Sequence, residues 1–140
     1  MRRVLIPVST NIDHRRVLHA LRLLQWKDAE YTLLNIIQLP QPSATYQEFI
    51  LKTVENNKKI IEELGDYLRK YGFETRIKVA VSRDVVSGIT EEVRYGGYSL
   101  VILFRKPRGF LGRIMLKLFK SVSQQVLDDV NVPVLIIPKE

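Results

Sequence analysis

Arg105-Lys106-Pro107-Arg108-Gly109-Phe110-Leu111-Gly112 opens the stretch that decides the fold. It follows an apolar run, Ser99–Phe104, and leads into an amphipathic helical pattern carrying Ser121 and Ser123. The chain then closes with Val132-Pro133-Val134-Leu135-Ile136-Ile137-Pro138, a second apolar run bracketed by prolines. Strand, glycine loop, helix and strand in that order form a β-α-β unit. A glycine loop entering a helix also offers backbone N–H groups to a phosphate.

The same stretch holds most of the excess positive charge. The chain carries a net charge of +7, and Arg105, Lys106, Arg108, Arg113, Lys117 and Lys120 fall among residues 105–120 with no acidic residue between them. Such concentration points to an anionic partner; the plainer alternative is a solvated loop followed by the polar face of a helix.

Outward from this stretch the same alternation recurs. Val4–Val8 is a short apolar run of the kind found in buried strands. Asn11 or Asp13 caps a helix in which Val17, Leu21 and Leu24 recur at i, i+4 and i+7. Tyr31–Ile37 is a second buried strand, followed by a loop with Pro40 and Pro42. The longest helix spans about Tyr46–Tyr71, with the stripe Ile50, Val54, Ile61, Leu64, Leu68 and Tyr71 interrupted only at Asn57, and stops at Gly72. In Phe73–Val81, Phe73, Thr75, Ile77 and Val79 alternate with Glu74, Arg76 and Lys78, so one face lies nearer solvent. Asp84 caps a helix that turns Val85, Val86, Ile89 and Val93 inward and ends at Gly96-Gly97. Ser99–Phe104 is the fourth strand and Val134–Ile137 the fifth. Between them a helix of about Phe110–Val130 carries the stripe Leu111, Met115, Leu118, Val122 and Val126.

This order predicts a single-domain α/β fold over residues 1–140, a doubly wound parallel sheet with helices on both faces. Ligands of such sheets sit beyond the carboxyl ends of the strands, where the strand order reverses. The loops Ser9–Asp13 and Arg105–Gly112 then flank the crevice.

Composition narrows the function classes. A hydrophobic fraction of 46% against 26% charged residues is that of a folded globular chain rather than a disordered one. With no cysteine, thiol catalysis, disulfides and zinc ribbons are excluded. No window reaches the roughly 18 apolar residues of a membrane span. The apolar run after Met1-Arg2-Arg3 is too short for a signal peptide, so a cytoplasmic protein is expected.

Three pieces of sequence carry a family likeness: Val4-Leu5-Ile6-Pro7-Val8, Leu33-Leu34-Asn35-Ile36-Ile37, and the ending Ser121-Val122-Ser123-Gln124-Gln125-Val126-Leu127 with Val132–Pro138. Together they resemble the universal stress protein family over nearly the whole chain. The resemblance implies five strands in the order 3-2-1-4-5, of the adenine nucleotide alpha hydrolase-like type, dimeric through the last strand. It further implies, for one branch of the family, ATP binding through Gly-x2-Gly-x9-Gly-(Ser/Thr) and an Asp just after strand one. Another branch lacks the motif and does not bind ATP.

This chain stands between the two branches. Gly109-x2-Gly112 matches the first glycine pair, but the spacer Arg113–Phe119 is seven residues long rather than nine. Keeping nine would put Pro107 and Phe110 at the glycine positions. Lys120 stands where the third glycine belongs, Ser121 matches the hydroxyl, and Ser9 stands in place of the Asp, with Asp13 too far along to replace it. Ile36 matches the apolar position that contacts the base. By resemblance the nucleotide-binding residues are Pro7, Ser9, Ile36, Arg108, Gly109, Gly112, Lys120, Ser121 and Val122, with Mg accompanying ATP if it binds. The physical case is that glycine lets the backbone approach oxygen closely, serine donates a hydrogen bond and Arg108, Arg113 or Lys120 supplies charge. The plainer case is turn geometry and two serines on a helix surface.

Other constellations carry less. Lys120-Ser121 is not the tail of a P-loop, because Phe119 precedes it inside a helical pattern and no Gly-x4-Gly comes immediately before. His14 and His19 point about 140° apart on a helix and cannot share a metal there. The helix carboxylates Glu48 and Glu55 stand at i, i+4 to Lys52 and Lys59, a solvated face with favourable pairs. No nucleophile elbow or His-Glu-x2-His pair is present, so no catalytic or metal residue is assigned. Phe110–Lys120 fits a helix stripe covering the sheet better than a membrane-surface helix. Trp26 and the tyrosines do not interleave with the basic cluster as a nucleic-acid stacking platform does.

Val134, Leu135, Ile136 and Ile137 form an apolar edge strand if the implied order holds, and such an edge invites a two-fold pairing. The expectation is a homodimeric, non-enzymatic regulatory or stress-response module holding ATP or another phosphate-bearing ligand. The alternative is a ligand-free dimeric interaction module whose basic surface binds a protein or polyanion. A slow ATPase ranks last, because no general base occupies the matching positions.

Overall fold

The computed structural model describes residues 1–39, 47–105 and 122–138. Five strands, β1 (Arg2–Pro7), β2 (Ala29–Gln38), β3 (Glu74–Ser82), β4 (Leu100–Phe104) and β5 (Val134–Ile137), alternate with helices. These are α1 (His14–Leu24), α2 (Gln47–Lys70), α3 (Val85–Gly96) and α4 (Val122–Asp129). The helix boundaries follow local chemistry. Of the two candidate caps it is Asp13 that accepts a hydrogen bond from the Arg15 N–H, at 2.9 Å. Asp84 does the same for Ser87 at 2.7 Å. Gly97, with φ +67°, ends α3, and Gly72, with φ +89°, follows α2, both in a region that costs glycine little.

All pairings are parallel and the order is β3-β2-β1-β4-β5, as the family resemblance implies. The chain steps outward from β1 to β2 and β3, then returns to β1's other side with β4. The reversal therefore lies between β1 and β4.

Strand side chains alternate between two cores. Val4, Ile6, Tyr31 and Leu33 join Val17, Leu21, Ile61, Leu64 and Leu68 under α1 and α2. Leu5, Leu34, Val101 and Leu103 join Ile89, Val93 and Val126 under α3 and α4. Helices on both faces explain why β1 and β4 read as unbroken apolar runs. β3, at the edge, keeps the alternation expected of it: Thr75 is buried while Glu74, Arg76 and Lys78 are exposed.

One expectation needs correction. Val122 was assigned to the inward stripe of the last helix, yet it is 44% exposed while Ser123 is buried. Relative to the fully buried Val126, Ser123 and Val130 lie to one side of the helical wheel and Val122 to the other, at 100° per residue. The covered arc is Ser123 and Val126, both buried, with Val130, just past the helix end, partly buried beside them. Residues 110–121 of the expected helix lie outside the described residues. Among the described residues no helix is long and apolar enough to cross a membrane.

Candidate functional site

The crevice at the carboxyl ends of β1 and β4 is built first from the segment after β1. Pro7, the last residue of β1, lies beside Leu34 in β2. The Val8 N–H continues the ladder to the Leu34 carbonyl at 2.8 Å. Ser9 then turns out of the sheet: its carbonyl accepts from the Ile12 N–H at 3.3 Å, and its hydroxyl donates to Asn11 Oδ1 at 2.7 Å.

The Val8 carbonyl accepts from Asn35 Nδ2 at 2.9 Å, and Asn57 Nδ2 donates to Asn35 Oδ1 at 2.9 Å. Asn35 is 95% buried at the end of β2, being 5% exposed, so its amide needs partners on both sides. A carbonyl only accepts, so Val8 fixes which way the Asn35 amide faces, and its oxygen is left for Asn57. Three elements, β1, β2 and α2, are thereby tied beneath the Ser9 turn.

Arg16 of α1 closes the other side. Its Nη2 donates to the carbonyls of Arg105 at 2.9 Å, Ile137 at 3.3 Å and Pro138 at 2.9 Å. Its guanidinium carbon stands 5.2 Å from the centroid of the Phe104 ring. The Arg105 N–H in turn donates to the Ile137 carbonyl at 3.0 Å. A cation thus gathers carbonyls at the ends of β4 and β5, sharing the Ile137 oxygen with the Arg105 N–H. The Arg16 Nε is buried with no partner among the described residues.

The residues assigned to nucleotide binding from the sequence divide into four groups. Pro7 and Ser9 stand at the crevice. Ile36 points toward α3, where a Cβ added to Gly88 would come within 2.7 Å of its Cδ1. Val122 is exposed at the first described residue of α4. Arg108, Gly109, Gly112, Lys120 and Ser121 lie outside the described residues. Of the edge residues, Val134 to Ile137 pair with β4 from Val101 to Phe104, and Leu135 is 36% exposed.

The crevice residues are suited to binding. The Ser9 hydroxyl is bonded to an amide oxygen, which cannot take its proton, so this contact does not activate it as a nucleophile. Two groups with displaced ionisation lie near α3. Burial pushes the Tyr98 phenol up to about 12, with the Glu92 carboxylate that accepts its O–H at 2.9 Å adding to the effect. The backbone N–H of Ser87, followed by its hydroxyl, holds Asp84 below the usual carboxylate range. Both serve helix α3 rather than the crevice. Among the described residues no cluster of three or more His, Cys, Asp or Glu side chains could hold a metal ion.

Sequence reasoning missed Asn35, Asn57 and Arg16. Two of them left a signal: a polar residue inside the apolar run of β2, and the break in the stripe of α2. Arg16 left none, since its partners are backbone carbonyls far along the chain.

Comparison with known proteins agrees with this architecture. No curated protein matches the chain by sequence. Among solved structures, universal stress protein UspA from Lactobacillus plantarum superposes with a TM-score of 0.72 at 13% identity, covering 97% of each chain. A universal stress protein family member from Arabidopsis thaliana with AMP bound gives 0.68 at 15% identity, covering 100% of this chain and 93% of its own. The universal stress protein from Archaeoglobus fulgidus in complex with dAMP gives 0.59 at 12% identity, covering 97% of each. At these identities the likeness is one of fold. The sequence match is more specific: residues 1–138 fit the pattern of the Universal stress protein family. On that match and the shared strand order, the chain belongs to the universal stress protein family.

Proposed function

We propose that this protein is a regulatory module that acts by holding a nucleotide or other phosphate-bearing ligand in the β1/β4 crevice, without catalysing a reaction on it. The observation that carries the reading is the Ser9 turn, set beside the strand-order reversal and anchored from below by Asn35 on the Val8 carbonyl. The nucleotides AMP and dAMP held by the Arabidopsis and Archaeoglobus relatives support it. The sugar and base sit against Pro7 and Ser9, and the phosphate is met by the Arg105–Gly112 segment with Lys120 and Ser121. ATP with Mg is one candidate and AMP another. Among the described residues the Ser9 hydroxyl donates to an amide oxygen rather than to a base, which favours binding over turnover.

Calorimetric titration with AMP and with Mg-ATP in moderate salt tests this. Saturable binding that Gly112→Asp weakens at least ~10-fold is expected, since a carboxylate there repels phosphate. Weak, salt-sensitive binding shared by all polyanions contradicts it and favours an interaction module using the basic surface.

A homodimer through β5 is proposed alongside. Among the described residues β5 pairs only with β4, leaving its outer edge to accept a second copy. Sedimentation that stays monomeric at high concentration would exclude it.

A further inference from the structure

A second site lies in the groove between α1 and α2, adjoining the crevice at Arg16, which lines this groove too. Arg15, His19 and Arg22 line one wall, Tyr67 and Tyr71 the other, and Asp13 stands at its head, around a volume of about 540 Å³. The three basic residues stand at i, i+4 and i+7, so they form one row along α1. The two tyrosines at i and i+4 form the facing row on α2.

The walls are held by ring contacts. His14 and Tyr67 rings lie 5.4 Å apart, Tyr67 and Tyr71 rings 5.2 Å, and the Arg22 guanidinium 4.9 Å from the Tyr71 centroid. This ladder sets the groove before anything enters, which reduces the ordering cost of binding.

The charges are uncompensated. Among the described residues neither Arg15 nor Arg22 has an ion pair. The α2 carboxylates Glu62 and Asp66 are taken by Arg69, at 2.8 and 2.9 Å. Asp13 is the one carboxylate of the lining, and its oxygen is engaged in capping α1.

We propose that this groove binds condensed phosphate, a linear run of at least two phosphoryl groups. Guanidinium forks favour phosphate oxygens over other anions of the same charge. The two fixed cations, Arg15 and Arg22, stand seven residues apart, about 10 Å or two helical turns along α1, so their forks reach two separate phosphoryl groups of one chain rather than a single ion. The tyrosine hydroxyls add donors from the opposite wall. Such a chain exists free or as the tail of a nucleotide triphosphate.

The test is a titration with sodium tripolyphosphate at constant ionic strength, followed by the NMR resonances of Tyr67 and Tyr71. It is run in the native chain and in Gly112→Asp, the substitution expected to weaken crevice binding, so that the two sites are told apart by whether the tyrosine shifts follow it. Saturable shifts in both chains are expected, weakened at least ~10-fold in the Arg15→Gln/Arg22→Gln variant, whose unfolding midpoint reports that it folds. ATP matching tripolyphosphate supports recognition of the phosphate chain alone. The proposal is overturned if these resonances do not saturate or if the folded double variant binds as tightly as the native chain. Equal shifts with sulfate, or with adenosine, also overturn it.

Discussion

Asn57 hands its N–H to the Asn35 oxygen at 2.9 Å, and Asn35 hands its own to the Val8 carbonyl at the same distance. The polar residue in the stripe of α2 and the amide in the apolar run of β2 therefore account for each other. Leaving either half of a buried amide pair unpartnered costs about 1–3 kcal/mol. Asn57→Leu is expected to destabilise by that amount. In urea unfolding, the Asn35→Leu/Asn57→Leu double variant should lose less than the sum of the singles, with a coupling of about 0.5–3 kcal/mol. Strict additivity would show that the contact is idle.

Arg16 makes a second prediction. Its guanidinium bonds the carbonyls of Arg105, Ile137 and Pro138, so Arg16→Leu frees the ends of β4 and β5 together. Hydrogen exchange at the Arg105 amide, which bonds the Ile137 carbonyl, should speed up while amides of β2 stay protected. Arg16→Lys should not restore protection, because an ammonium lacks the planar fork. Full restoration by lysine would mean that charge alone matters there.

Gly88 sits under Ile36, and a Cβ built on it would come within 2.7 Å of Ile36 Cδ1. Gly88→Ala therefore overpacks α3 on β2, at an expected cost of about 1–3 kcal/mol. The far methyl of Ile36 is the clashing group, so Ile36→Val in the Gly88→Ala background should recover part of the loss. A thermal melt in which the second substitution only deepens the loss would contradict this contact.

Tyr98 contributes to the alkaline limb of stability, beside Tyr31, whose phenol burial also pushes up. Its folded-state value of about 12 lies above the ordinary 10.0, so the neutral phenol is favoured in the folded chain. The associated stability is complete below the unfolded value and is lost as pH rises through the window from 10.0 to about 12. Tyr98→Phe should show a flatter fall across that window in denaturant midpoints. An unchanged slope would remove Tyr98 from the account.

Much of the fold was legible because both faces of the sheet are covered. Runs such as Leu100–Phe104 had to be buried strands, and Asp84, Gly72 and Gly97 mark helix ends by their own chemistry. Strand order was not in the periodicity; it came with the family likeness, and pairing β1 between β2 and β4 bears it out. The site was less legible. The place of Ser9 after β1 was readable from the strand boundary, whereas the packing of Ile36 against Gly88 joins two residues that no spacing links. Arg16 bonds across 89 residues to Arg105 and 121 to Ile137, separations at which spacing says nothing. Val122 misled because i, i+4 to Val126 reaches just beyond the buried arc.

The central claim is that the crevice between β1 and β4 receives the ligand. Amide chemical shifts followed through an AMP titration test it most directly. The account predicts saturating shifts at Ser9, Asn11 and Arg105, with amides at the opposite end of the sheet, such as Glu30, unmoved. Binding that leaves Ser9 and Arg105 still, or no saturable binding of AMP or Mg-ATP, would contradict it.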